Sequence, residues 1–135
     1  MNNLEIAHEL NVINNFAKGK VLKQVIGSLI LGFFAGVPDD VYNKIFDFHL
    51  KIKTLPRETE LDKNELAKNL IIISKLDNLF TKITDEKSKL IIGVFTLSIA
   101  YNKLTDFRNI LAHLNKHIET LDFRNDISSQ GMTLH

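Results

Sequence analysis

Arg108, Asn109 and His113 are the residues of this chain best suited to chemistry. They lie in the string Phe107-Arg108-Asn109-Ile110-Leu111-Ala112-His113, inside an unbroken helical pattern. A guanidinium grips a phosphate through two parallel hydrogen bonds. An imidazole moves protons near neutral pH. The pair suits phosphodiester chemistry, with Arg108 on the phosphate and His113 as the acid–base group. RNA carries its own nucleophile, the 2′-hydroxyl, so such a pair needs neither metal nor cofactor.

The helix that carries these residues sets a constraint. Positions five apart lie about 140° apart around a regular helix. Arg108 and His113 therefore do not converge within one subunit. Asn109 and His113 are four apart and share a face. That face lies opposite the stripe Leu104, Phe107, Leu111, Leu114. A twofold dimer resolves the divergence, because each subunit can supply one Arg–His set to a shared cleft. The spacing thus predicts a homodimer, with the Asn109/His113 face at or beside the interface.

In this helical setting, Arg108-Asn109-Ile110-Leu111-Ala112-His113 resembles the HEPN superfamily. Those are small all-α domains with an Arg, a polar residue after it, and a His four to six residues further on. The local string is especially similar to HEPN toxins paired with nucleotidyltransferase-like antitoxins. The resemblance spans about ten residues with any specificity, and beyond them only helix count and motif position. It implies a metal-independent endoribonuclease, as a toxin or phage-defence component, with RNA as substrate and an antitoxin as a partner. In that reading His113 helps the 2′-hydroxyl attack the adjacent phosphate, leaving a 2′,3′-cyclic phosphate. Arg108 holds the phosphate as charge builds, and Asn109 orients His113 or binds substrate. Many HEPN domains do no chemistry, so the alternative is a non-catalytic helical interaction or nucleotide-binding module.

Other candidates are weaker. His113 and His117 have a spacing that can hold zinc, but no third ligand falls at a matching step, so no metal is expected. Gly27, Gly32 and Gly36 match no phosphate-binding loop and suit close helix packing instead. His49 reads as a partly buried helix residue and His8 as an exposed one. Lys18, Lys20 and Lys23 form a basic cluster before the apolar run Val25 to Phe34. With no clear polar face, that run suits core burial better than a membrane surface.

Composition agrees with a globular helical protein. Lys+Arg number 17 against 16 Asp+Glu, a net charge of +1, and 44% of residues are hydrophobic. That balance is not the strongly basic one of an obligate DNA binder. The chain contains no cysteine, which excludes disulfides and thiolate chemistry. The uncharged runs Gln24 to Pro38 and Leu90 to Asn102 are shorter than the roughly 18 residues of a membrane span. The first residues lack a basic signal region. A soluble cytoplasmic protein without a membrane partner is expected.

Apolar spacing is helical nearly throughout. It predicts an all-α up-and-down bundle of five or six helices, HEPN-like, near 4–17, 20–35, 39–54, 62–82, 85–102 and 104–121. The last two are separated only by Lys103-Leu104-Thr105 and could be one. Asp62-Lys63-Asn64-Glu65 has the form of a helix cap, and Thr84 or Asp85 caps the next helix. Residues 1–125 form one domain, and 126–135 a polar, frayed tail. The expected core comprises Ile26, Leu29, Ile30, Phe33, Ile45, Phe48, Leu70, Ile73, Leu76, Phe80, Val94, Leu97, Phe107, Leu111 and Leu114.

Overall fold

The structure is a computed structural model that describes residues 1–55 and 63–114, with the backbone alone for 63–66. Among the described residues it is all-helical. The helices are α1 (Asn3–Asn14), α2 (Lys20–Ala35), α3 (Asp39–Lys51), α4 (Lys63–Lys82), α5 (Glu86–Ala100) and α6 (104–114). The Asp62 cap, His117, residues 115–121 of the last expected helix and the 126–135 tail lie outside the described residues.

Local chemistry sets the helix ends. Asn2 and Glu5 form a reciprocal cap on α1: each side chain accepts the other's backbone N–H at 2.9 Å. α2 lies between two glycines with positive φ, Gly19 at 94° and Gly36 at 89°. The Asp85 side chain caps α5 by accepting the Ser88 N–H at 2.9 Å. α5 and α6 are separate helices. Asn102 takes a left-handed φ of 56°, Asn102 N–H donates to Ile99 O at 3.2 Å and Lys103 N–H to Ser98 O at 2.7 Å. That pattern is a Schellman stop with Asn in the place glycine usually takes.

α1 packs along α2 and against α4, α4 packs on α5, and α3 packs on α5. α6 is wedged among α2, α3 and α5. Phe107 is wholly buried and stacks on Phe48 at 6.2 Å and Phe95 at 5.9 Å. On the α2 side, Leu114 lies over Gly32 so closely that a Cβ there would meet its Cδ2 at 2.6 Å. Gln24 meets Arg108 eight residues earlier on α2. Residue numbers rise together along this contact, so α2 and α6 run parallel.

Several expectations need correction. Leu70 is 56% exposed, and the buried stripe of α4 is Ile72, Leu76 and Leu79, followed by buried Ile83 just past its end. The expected core residues of this helix, Leu70, Ile73, Leu76 and Phe80, share Leu76 with that stripe but are turned from it by about 90°. Apolar residues occupy so much of α4's circumference that spacing alone admits both stripes. Ile30, Ile73, Phe80 and Leu97 are partly buried, and the remaining expected core residues are buried. In α2, expected to be buried on most sides, Leu31 is 48% and Phe34 62% exposed. Of the three glycines, only Gly32 permits a close approach; Gly27 is open to space and Gly36 ends α2. α1 stops at Asn14, although Ala17 beyond it is still buried. Among the described residues no helix is long and apolar enough to cross a membrane.

Candidate active site on α6

Phe107, Leu111 and Leu114 face the core and fix the rotation of α6. That rotation decides where the polar residues emerge. Asn109, Ala112 and His113 are exposed, and Arg108 is half-buried beside α2. Asn109 and His113 share one flank, a turn apart. Arg108 leaves from the other flank, as the 140° separation requires. One chain therefore brings Asn109 and His113 together and leaves Arg108 apart from His113.

Arg108 is loosely held. One guanidinium nitrogen, Nη1, donates to Gln24 Oε1 at 3.5 Å, near the limit of a hydrogen bond. The partner is a neutral amide. No carboxylate pairs with Arg108 among the described residues, whose one ion pair is Lys87–Asp39 on a distant surface. A guanidinium has five N–H donors in a planar fork, so most of this one remains available to an oxyanion. The exposed imidazole of His113 is likewise open to substrate. Nothing in the described surroundings adds a metal centre: among the described residues no three His, Asp or Glu side chains cluster.

The exposed arc of α6 continues across Arg108 onto α2. There Gln24, Gly27, Leu31 and Phe34 follow at three, four and three, a helical face. Leu31 and Phe34 give that face exposed apolar area, and the space above Gly27 is empty. A groove of about 650 Å³ lies elsewhere, between α3, α4 and α5, with no described lining residue from α6. His49 lines it and is half-buried as expected; His8 is exposed.

Sequence reasoning missed two features here. Gln24 is the neighbour of Arg108, 84 residues away in the chain, and no local spacing announces that pairing. Lys103, just before α6, is 1% exposed, and its Nζ is buried without a hydrogen-bond partner among the described residues. Its place right after a helix stop hid it, because such positions are usually solvated.

No protein-family model, curated protein or solved structure matches this chain.

Proposed function

We propose that this protein is a metal-independent endoribonuclease of HEPN type that acts as a homodimer. The observation that carries the reading is the availability of Arg108: a half-buried arginine beside a neutral amide, with no carboxylate partner among the described residues, on the helix that also exposes His113. Arg108 stabilises the phosphate as negative charge builds on it. His113 takes the 2′-hydroxyl proton as that oxygen attacks phosphorus. The 5′-oxygen leaves with a proton taken from water or from the imidazolium so formed, and a 2′,3′-cyclic phosphate remains. Asn109, one turn before His113, orients the imidazole or the substrate.

A second copy completes the site, because Arg108 and His113 diverge on one helix. The exposed Leu31 and Phe34 beside Arg108 supply apolar area for that contact. A toxin or phage-defence role, with an antitoxin as partner, follows from the same resemblance. The same apolar pair also favours the second reading, a non-catalytic interaction module that docks a partner protein on this face.

The test is cleavage of single-stranded RNA in the presence of a chelator. The expected products end in 2′,3′-cyclic phosphate, and DNA of the same sequence stays intact. Cleavage of DNA, or activity that disappears with the chelator, would overturn the mechanism. No cleavage of any RNA would leave the interaction module in its place.

A further inference from the structure

A cavity of about 440 Å³ opens where the link between α1 and α2 meets α4 and the start of α6. Its volume is in the range of small-ligand sites. Lys18, Lys20 and Lys68 line it, together with the polar side chains of Asn69, Asn102 and Thr105. Among the described residues its lining includes no Asp or Glu. None of the three lysines is in an ion pair among the described residues. The three lysines give the hollow like charge, and no described carboxylate in its lining offsets it.

The backbone adds to the imbalance. Lys18 and Lys20 flank the N-terminus of α2, the positive end of the helix dipole, where cations are unfavourable. Among the described residues no side chain caps that end, and its first turn holds no acidic residue. Gly19 turns there with a φ of 94°, and the space above it is open. An anion in the cavity would meet lysine charges and unsatisfied N–H groups together, and would relieve both.

The cavity also adjoins the candidate site. Leu104 and Thr105 on its wall lie one turn before Arg108 on α6. Lys20 lies one turn before Gln24, the neighbour of Arg108, on α2. Because α2 and α6 run parallel, Arg108 stands about one helical pitch, roughly 5 Å, further along the same seam.

We infer that this cavity binds the phosphate of a nucleotide, either within an RNA strand that continues past Arg108 or as a free nucleotide. Lys18, Lys20 and Lys68 hold the phosphate, and Asn69 and Thr105 offer hydrogen bonds to the sugar or base. The binding requires no turnover, so it is separable from the ribonuclease reading.

The test uses the full chain labelled with ¹⁵N and two probes: inorganic triphosphate, and a hexauridylate blocked as 2′-O-methyl so that it cannot be cleaved. If the strand is the ligand, both probes shift the amides of Gly19, Lys20, Asn69 and Thr105, and the oligonucleotide also shifts Arg108. If only triphosphate shifts the cavity amides, a free nucleotide is the ligand. Lys20→Glu and Lys68→Glu should each weaken binding about tenfold and lower the log–log salt slope by about one. Lys44→Glu changes net charge equally from an exposed site on α3 and should leave binding near wild type. Cavity amides that stay still with both probes overturn the inference. So does a loss in Lys44→Glu equal to that in Lys20→Glu, because the attraction would then be long-range only. Cleavage by the unblocked chain is scored separately, so a dead enzyme with a working cavity is distinguishable from the reverse.

Discussion

The two sides of α6 obey opposite rules. Inward, Phe107, Leu111 and Leu114 are fully buried, one ring stacked between two others and one leucine seated over Gly32. Outward, Asn109 and His113 are exposed, and Arg108 makes a single long contact. The inner side has settled contacts. The outer side holds the candidate acid–base and phosphate-binding groups and few contacts among the described residues. A tightly packed stripe lets a helix present unpaired polar groups in a fixed direction, which is what a positioned acid–base residue needs.

That contrast breaks most sharply at His113. With RNA as substrate, His113→Ala should lower the cleavage rate by roughly 10²–10⁴. Its unfolding free energy should stay within about 0.5 kcal/mol of wild type, as for an exposed residue without partners. A comparable loss of stability would mean that the outer side is structural after all. Phe107→Ala should do the reverse and cost about 3–5 kcal/mol in a denaturant titration. A loss under about 1 kcal/mol would show that the stripe does not anchor the helix.

Lys103 is the exception on the buried side, a polar end with no partner among the described residues. Lys103→Met keeps the length of the side chain and removes the unsatisfied group, so stability should rise by about 1–3 kcal/mol. A loss instead would reveal a partner for the amine in solution.

The smallest effect is expected at Asp85, away from α6. Hydrogen bonds from Ser88 N–H and then Ser88 Oγ hold its carboxyl below the ordinary aspartate range, with burial opposing and Lys87 assisting. Asp85→Ala should cost about 1 kcal/mol at neutral pH. Because the folded value is lowered, the ionised cap stabilises the fold above the aspartate range and stops doing so as pH falls through the folded value. The gap between wild type and Asp85→Ala should therefore close in acid. A gap that stays constant from pH 7 to pH 2 would show that charge has no part in the cap.

Much of the fold was legible because punctuation was strong. Gly19, Pro38 and Asp85 mark helix starts, and the stripe of α6 is unambiguous. The Asn2–Glu5 cap was missed, although Asn-x-x-Glu before an apolar stripe is a helix-start pattern. The α5–α6 boundary was harder: Asn102 reaches the left-handed region less readily than glycine, so its stop signal is weak in sequence. The register of α4 was illegible for a different reason. Leu70, Ile71, Ile72 and Ile73 are consecutive and apolar, and only the neighbouring helices decide which two face them. At the candidate site, the residue types and their divergence could be read from spacing. The seam between α2 and α6, with Gln24 at Arg108 and three lysines at one end, depends on long-range packing that no local period encodes.

The central claim is that Arg108 and His113 act together through a second copy of the chain. Light scattering should first report about twice the 15.4 kDa chain mass. The direct measurement mixes two inactive variants, Arg108→Ala and His113→Ala, after joint unfolding and refolding. In a composite site, half of the random dimers are mixed and each carries one intact site, so cleavage should return to about a quarter of wild type. No recovery in a mixture that light scattering shows to be dimeric would contradict the claim.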